Sequence, residues 1–262
     1  MERELKVGYT KALYAMVYRE VIRYKRAYSR MLGSLLNPII WLIFFGLGWA
    51  SLFRENIFRE IFYGLDYITF LAPGIVMMAI FSASFLGGVS MLWDREFGFL
   101  KEILVAPASR SASLIGKSLG IALTALIQGI LVLLVTIPLM SSINIYSLLP
   151  AILVSYIVSL GFTSLGMAIA SRMSSMEGFH LIVSVVMMPI VFLSGAFYPI
   201  DGLPNWMSIL IYSNPLTYGV DLVRYLLTGV YSIEPLYSLF GVLGFTLIFI
   251  LISTYLFHKT TL

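Results

Sequence analysis

Cysteine is absent from this 262-residue sequence, and charged residues are scarce. Without cysteine the chain can form no disulfide and no thiolate metal site. Its two histidines, His180 and His258, are far apart and lack ligand-type neighbours, so no metal site is predicted. Only 11% of the residues are charged, against about 25% in soluble domains, and 60% are hydrophobic. This deficit runs along the whole chain and predicts that most of the chain lies in lipid.

Six apolar stretches are long enough to cross a bilayer, which takes about 20 residues. The first is too long for the apolar part of a signal peptide, so it is expected to be retained. The sequence therefore predicts an all-α integral membrane protein, a single domain over residues 1–262, with six spans and both termini on one side. The predicted spans are residues 31–53, 67–93, 113–140, 148–171, 179–198 and 236–257.

Lysine and arginine are unevenly divided between the two sides of this arrangement. Of the 17 basic residues, only Arg54, Arg59 and Arg224 lie on the side opposite the termini. Cytoplasmic loops of membrane proteins carry an excess of lysine and arginine. We therefore expect both termini and the loop after the second span to be cytoplasmic, in a multi-pass protein of the plasma membrane.

Residues 9–30, within an N-terminal segment of residues 1–30, carry a pattern typical of a helix at a membrane surface. A tyrosine-rich apolar stripe and an arginine stripe fall on opposite faces at steps of three and four. The arginines are expected to contact anionic lipid headgroups, and contact with a cytoplasmic partner stays open. The apolar stripe is Leu13, Val17, Val21, Tyr24 and Tyr28, and the arginine stripe is Arg19, Arg23, Arg26 and Arg30.

Residues 199–235 are too apolar for an ordinary outer loop and too often interrupted for a span. Pro204 suits the start of one short helix, and Asn214 with Pro215 suits the start of a second, which Gly229 would end. A helix over residues 205–213 would be only ~13 Å long, under half of a bilayer core. The segment is therefore predicted to be a re-entrant helix pair, with a surface loop as the alternative.

A charged segment, DREFGFLKEILVAPASR at residues 94–110, lies between the second and third predicted spans. An acidic residue near its start suits a helix N-terminus. Phe97, Leu100 and Leu104 share one face at helical spacing, and Pro107 ends the pattern. An apolar face outside the membrane core needs either a groove in another protein or a seat at the membrane surface. The pattern alone leaves both open.

With the preceding tryptophan, this segment resembles the cytoplasmic loop of the type-2 ABC transporter permease family, roughly R-E-x-G-T-L-E-x-L-x-x-T-P-x-S-R. Phe99 replaces the usual threonine, and Lys101 stands where an acid is common. A second stretch, FLSGAFYPIDGLPNWMSILIYSNPLTYGVDLVR at residues 192–224, resembles that family's segment before the last span, with its F-x-S-G-x-F-x-P and N-P-L-T-Y-x-x-D-x-x-R elements. The resemblance covers essentially the whole chain.

The resemblance implies the transmembrane subunit of an ATP-driven exporter. In this family the loop helix is a coupling helix that docks on a separate ABC ATP-binding subunit, and two permeases enclose the path. The implied partners are that ATPase subunit, a second copy or a related permease, and membrane lipids, but no nucleic acid. ATP and Mg would be bound by the partner, with no cofactor in this chain. The implied coupling residues are Arg95, Glu96, Phe97, Gly98, Leu100, Lys101, Glu102, Leu104, Pro107 and Arg110.

The sequence lacks a phosphate-binding loop for ATP hydrolysis. The nearest match, SASLIGKS at residues 111–118, has Ser111 at the first glycine position and no preceding strand. Gly116 in this segment and Gly120 just after it are predicted to pack helices together. The chain is therefore not expected to be an enzyme, and a separate ATPase is expected to power it.

A secondary transporter of amphiphilic compounds, working without an ATPase, is the alternative. Such proteins carry ionisable residues near mid-membrane, and the middles of the six predicted spans hold none. Gln128 is expected to bond a neighbouring helix, and Asp221 is expected to pair with Arg224. The candidates for a path or gate are Gln128, Asn214, Pro215, Tyr218, Asp221 and Arg224.

Overall fold

The computed structural model describes residues 8–50, 60–99 and 109–259, and every regular element in these ranges is helical. Helix α2 continues as a π-helix, Leu42–Leu47, and as α-helix over Gly48–Ala50, where this described range stops. The main helices are α1 Tyr9–Arg26, α2 Tyr28–Trp41, α3 Tyr67–Gly87, α4 Ser90–Glu96, α5 Arg110–Thr136, α6 Leu148–Arg172, α7 Met176–Phe192, α8 Asn205–Ser213, α9 Pro215–Thr228 and α10 Pro235–His258.

Four helical segments of the described ranges are long and apolar enough to cross a membrane. They are Tyr67–Glu96, Ser111–Leu139, Ile145–Arg172 and Pro235–Phe257. The bent pair of α1 and Met31–Leu47 brings the number of candidate spans to as many as five, and α7 is apolar but only 17 residues long. The chain is thus a helical membrane protein with four to five candidate spans in its described part.

The predicted fifth span, residues 179–198, is wrong at its C-terminal end. Helix α7 ends at Phe192, and Gly195 has a φ of 67°, a left-handed backbone conformation that ends regular helix. The carbonyl groups that α7 leaves free are bound by the side chain of Asn214, whose Nδ2 donates to Ile190 O at 2.7 Å and to Leu193 O at 2.9 Å. A long-range cap, outside the reach of a hydropathy pattern, ends this helix.

Helix α3 forms the centre of the bundle, with α5, α6 and α9 packed around it. Sixteen of its 21 residues are buried, so α3 is enclosed on all sides and not amphipathic. Its C-terminal end touches α6 backbone to backbone, because a Cβ on Gly88 would lie 2.3 Å from the carbonyl carbon of Gly166. Small residues permit this close contact between membrane helices.

Both ends of the described chain lie at the same end of the bundle. Helix α1 packs along the first turns of α5, and Phe257 near the end of α10 lines a small cavity together with Met16 and Lys117. We call this the loop end, because the 94–110 loop leaves the bundle there. We call the opposite end, where Tyr63 meets Asp201, the far end.

The predicted helix over residues 9–30 is wrong at its C-terminal end, because α1 stops at Arg26 and α2 starts at Tyr28. Between them Ala27 leaves helical geometry, with φ −98° and ψ 57°, and the axis of α1 and that of Met31–Leu47 differ by 74°. The face of α1 that packs on α5 contains Ala12, Met16 and Glu20, which are buried. This face only partly overlaps the apolar stripe expected from the sequence.

Gly116 and Gly120 pack α1 onto α5, which confirms their predicted role. A Cβ on Gly116 would lie 2.6 Å from the carbonyl oxygen of Leu13, and one on Gly120 would lie 2.8 Å from the Glu20 Cβ. The missing side chains let the backbones of the two helices approach closely. They also bring Glu20 next to the face of α5 that carries Lys117.

The two short helices predicted in residues 199–235 are present as α8 and α9. Helix α8 follows Pro204, and Asn214 caps α9 by accepting a hydrogen bond from the Leu216 N–H at 3.0 Å. Pro215 takes the first position of α9, and Gly229 ends it with a φ of 80°. These boundaries follow from local chemistry, since each residue satisfies a backbone requirement of its own position.

Candidate functional site at the start of the 94–110 loop

Five charged side chains from three helices meet at the loop end: Arg19, Glu20, Arg23, Asp94 and Lys117. We call them the charge cluster. Asp94 accepts hydrogen bonds from Lys117 Nζ and, at 2.8 Å, from Arg19 Nη2. Glu20 pairs with Arg19 at 2.7 Å and with Arg23 at 2.5 Å. The cluster ties α1 to the start of the loop and to α5.

The charge cluster is largely removed from solvent. The side chains of Lys117 and Glu20 are each 2% exposed, and that of Asp94 is 8% exposed. Lys117 also donates to the carbonyl of Ser90 at 3.0 Å. Buried charges need such partners, because an unpaired one is costly in a low-dielectric interior. Three cations face two carboxylates, which leaves one positive charge in excess.

Packing places these charges together, although they are distant in the sequence. Asp94 lies one turn after Ser90 on α4, Lys117 follows Gly116 on α5, and Glu20 shares the packed face of α1 with Met16. Lys117 entered the prediction only as one of the basic residues on the side of the termini and within the SASLIGKS segment, and the sequence did not indicate the charge cluster. The available signal was a lone lysine inside one apolar stretch and an aspartate at the end of the stretch before it.

Arg95 fixes the start of the loop to the end of α6. Its guanidinium donates to the carbonyl oxygens of Ser171 and Met173, at 2.9 Å in each case. These are carbonyls that a helix C-terminus leaves free, and a cation is favoured there. Next to Arg95, the indole N–H of Trp93 donates to the Met176 sulfur at 2.9 Å. The loop therefore starts from a point held by α1, α5, α6 and α7.

The loop leaves this anchor with its next residues exposed. Glu96 is exposed and the Phe97 side chain is 82% exposed, and Gly98 adopts a φ of 76°. Asp94 and Glu96 lie in the last turn of α4, and the helix expected within the loop falls mostly on residues 100–108, outside the described part of the chain. The predicted coupling residues Leu100, Lys101, Glu102, Leu104 and Pro107 lie outside the described residues, as does the side chain of Arg110, the first residue of α5.

The predicted arginine stripe does not stay on one outer face. Arg19 turns towards Asp94, and its guanidinium lies 4.3 Å from the centre of the Phe99 ring, a cation–π distance. Arg23 is held by Glu20, while Arg26 is exposed and the Arg30 side chain lies outside the described part of the chain. Arg19 therefore lies in the charge cluster, whereas Arg26 stays on an exposed face of α1, and the predicted contact of the arginines with lipid headgroups stays a prediction.

Gln128 bonds a neighbouring helix, as expected from the sequence. Its Nε2 donates to the carbonyl oxygen of Ser34 on α2 at 3.0 Å. That carbonyl lies four residues before Pro38, which has no N–H to donate to it. Gln128 thus replaces the backbone hydrogen bond that the proline removes.

The remaining gate candidates at the far end have partners within the chain. Arg224 is 1% exposed and donates to Gly195 O at 2.8 Å and to Phe70 O at 3.2 Å. Asp221 accepts from the N–H groups of Ser232 and Ile233, both at 2.9 Å. The predicted Asp221–Arg224 pair exists only as a 3.9 Å contact. The hydroxyl of Tyr218 donates to the Tyr212 carbonyl at 2.7 Å, and Asn214 and Pro215 organise the α8–α9 turn.

Tyr63 and Asp66 lie outside the spans and hold segments of the far end together by hydrogen bonds. The hydroxyl of Tyr63 donates to Asp201 Oδ2 at 2.6 Å, and burial together with this bond raises the pKa of Tyr63 to about 12. Burial alone would raise the pKa of Asp66, but hydrogen bonds from Ser141 and Thr69 hold it below its ordinary value. These contacts join the residues before α3 to the α5–α6 connection and to the segment before α8.

Comparison with known protein families identifies the family of this chain. The profile of the ABC-2 type transporter family matches residues 11–228, which include α1, the charge cluster, the 94–110 loop and the α8–α9 pair. The chain belongs to the ABC-2 type transporter family. Among the described residues of this permease, no group of three histidine, aspartate or glutamate side chains could hold a metal ion.

Two of the three curated relatives described next are named as transport permeases. This permease is 30% identical over 216 residues to the putative transport permease ycf38 of Cyanophora paradoxa, covering 82% of this chain and 73% of the relative. It is 25% identical over 236 residues to the inner membrane transport permease YadH of Escherichia coli strain K12, covering 90% of each chain. Nodulation protein J of Rhizobium leguminosarum bv. trifolii is 30% identical over 220 residues, covering 78% of this chain and 76% of the relative.

Proposed function

We propose that this ABC-2 permease is the membrane subunit of an ATP-driven exporter, coupled to a separate ABC ATP-binding subunit through its 94–110 loop. ATP-driven closure of the partner would push on this loop, and the permease would open a route outward. Two permeases, identical or related, would enclose that route. ATP and Mg would be held by the partner, and this chain would contribute no catalytic residue.

The observation that carries the proposal is the anchor of the loop. An exposed phenylalanine, Phe97, stands three residues after Asp94, whose carboxylate is shared by α1 and α5. Arg95, next to it, holds the end of α6. A force on the exposed residues is therefore delivered to three long helices through buried ion pairs and hydrogen bonds, which deform less than a free loop.

The contacts along the chain support six crossings and termini on one side. Trp41 and Phe45 of the α2 segment contact Phe192 and Phe197 at the far end, so this segment runs from the loop end to the far end. Helix α7 runs the same way, from Met176 beside Trp93 to Phe192. Together with the four long segments, this makes six. The excess of basic residues at the loop end favours the cytoplasm there, in a plasma membrane.

Co-purification from native membranes in mild detergent tests the proposal. We expect a stoichiometric ATP-binding subunit to accompany the wild-type chain. Phe97→Asp places a charge on the exposed side chain and should remove the ATPase, while the amount of inserted permease stays unchanged. Glu96→Lys, which reverses a neighbouring exposed charge, should weaken the association. Tyr146→Asp is a matched control, because Tyr146 is 97% exposed and lies in the α5–α6 connection.

The alternative function, a secondary transporter, predicts that the chain is purified without an ATPase subunit. The buried Asp94–Lys117 pair is of the kind that ion-coupled transporters use, but it lies at a helix end and its groups are already paired. If the chain is purified alone, and vesicles containing it take up an amphiphilic dye in response to an ion gradient without ATP, a secondary transporter replaces the exporter.

A further inference from the structure

A cavity of about 240 Å³ lies at the elbow between α1 and α2. We call it the elbow cavity. Residues of α1, α2, α3, α4, α5 and α7 form its walls, and it is partly open to the outside. Its walls are mostly apolar, with Leu86, Val89 and Ile121 among them. The polar residues Tyr24, Ser34, Ser90, Thr124, Gln128 and His180 also line it, together with Glu20 and Arg23 of the charge cluster.

Two residues that line the elbow cavity have a buried hydroxyl group without a hydrogen-bond partner among the described residues. The two groups are the Tyr24 hydroxyl and the Ser90 Oγ, and Ser90 is only 1% exposed. A buried hydroxyl without a partner is unfavourable, and native proteins satisfy such groups with protein, water or ligand. Since both residues line the elbow cavity, a polar ligand group in it is a candidate acceptor for these hydroxyls.

The charge around the elbow cavity favours an anion. Glu20 and Arg23 line it directly, and the cluster to which they belong carries one positive charge in excess. Arg23 retains donors beyond its bond to Glu20, and its side chain is 36% exposed. Arginine is suited to phosphate, which can accept several hydrogen bonds at once. A cationic ligand would instead add to the excess positive charge.

The size and position of the elbow cavity limit the ligand further. Its volume exceeds the about 150 Å³ of an engineered cavity that binds benzene, and falls below the about 300–1,000 Å³ of pockets that hold drug-sized molecules. It therefore suits a headgroup and not a complete lipid. The elbow joins an amphipathic helix to an apolar one, where headgroups and acyl chains of a bilayer meet.

We propose that the elbow cavity binds the phosphate head of a monoanionic phospholipid, with Tyr24, Ser90 and Arg23 as its hydrogen-bond donors. The acyl chains would lie outside, along the exposed apolar side chains of α2 such as Leu32 and Leu36. The bound head would complete the hydrogen bonding of the elbow and hold the angle between α1 and α2. This site is independent of the ATPase partner and of the transported substrate.

Native mass spectrometry of the delipidated permease, titrated with phosphatidylglycerol or phosphatidylcholine, tests the proposal. We expect one phosphatidylglycerol per chain to be retained at least tenfold more tightly than phosphatidylcholine. The combined Tyr24→Phe and Ser90→Ala variant removes both hydroxyls with little change in shape and should abolish this preference. Ala83→Leu, which fills the cavity, should do the same. Arg23→Gln should reduce the affinity for phosphatidylglycerol.

The matched controls lie on the same helix but away from the cavity. Tyr14→Phe alters a tyrosine that is 69% exposed, and Arg26→Gln alters an exposed arginine. Both should retain the lipid preference, and melting temperatures confirm that all variants are folded. Equal retention of the two lipids, or unchanged retention in Ala83→Leu, overturns the proposal. Displacement of the bound lipid by millimolar inorganic phosphate would assign the site to a free anion and overturn the lipid.

Discussion

Replacing Asp94 with leucine should destabilise the permease by about 3–5 kcal/mol, because breaking a buried ion pair leaves the other charge unpaired. Lys117, with a side chain 2% exposed, would keep only the Ser90 carbonyl. Arg19 would lose less, since it retains Glu20 and is 24% exposed. At roughly 2–4 °C per kcal/mol for a chain of this size, the melting temperature should fall by roughly 6–20 °C.

A second substitution in the same site separates this mechanism from a simple packing defect. Lys117→Met in the Asp94→Leu background removes the unpaired charge, and replacement of a buried pair by apolar residues is often close to neutral. The double variant should therefore melt at a higher temperature than Asp94→Leu alone. Lys117→Met alone should cost less than Asp94→Leu, because Asp94 still accepts from Arg19 at 2.8 Å.

The assay is thermal unfolding of the purified permease in one detergent, at one heating rate and at neutral pH. Glu96→Gln, two residues away and exposed, serves as the control and should shift the melting temperature by under 2 °C. A loss of under 2 °C in Asp94→Leu, or no recovery in the double variant, would refute the reasoning that a buried, shared carboxylate holds the loop end together.

Three further predictions use the same melting assay. Gly116→Ala should cost about 1–3 kcal/mol, because its Cβ would lie 2.6 Å from a carbonyl oxygen of α1, whereas Gly33→Ala meets open space and should be harmless. Asn214→Ala should cost about 1–3 kcal/mol by removing the α9 cap and two bonds to the end of α7. Asn214→Asp should cost at least as much, because it keeps the cap but places a carboxylate oxygen, which cannot donate, against the carbonyl oxygens of Ile190 and Leu193. Tyr63 has a pKa raised to about 12, so its contribution to stability is complete below pH ~10 and is lost as the pH rises towards 12. Tyr63→Phe should reduce the loss of stability at alkaline pH, and an unchanged alkaline midpoint would contradict the assignment.

The α8–α9 pair shows what local chemistry can predict. Asn214, Pro215 and Gly229 each meet a requirement of a single backbone position, so the helix boundaries could be derived without knowing any neighbour. The same holds for the long apolar helices, whose length and composition suffice to predict them. The family resemblance rested on the 94–110 loop and on residues 192–224, and the match over residues 11–228 confirms it.

The charge cluster shows what local chemistry cannot predict. Arg19 and Asp94 are 75 residues apart and Asp94 and Lys117 are 23 apart, and each alone resembles an ordinary charge near a membrane surface. The apolar stripe predicted for α1 only partly overlaps its packed face, and the pattern gave no sign that Glu20 lies in that face. The bend at Ala27 was also missed, because alanine favours helix and gives no stop signal.

By itself the sequence determined that this is a helical membrane protein, and it determined the family. It also determined the small-residue contact of Gly116 and Gly120. These properties depend on composition, periodicity and local motifs. Only the tertiary structure decided which charges are buried together and where α7 ends. It also decided that Arg224 and Gln128 serve the backbone carbonyls of other segments. The physical reason is that an ion pair or a long-range cap is a property of two distant segments. Its energy depends on a distance and a burial that exist only after the helices have packed.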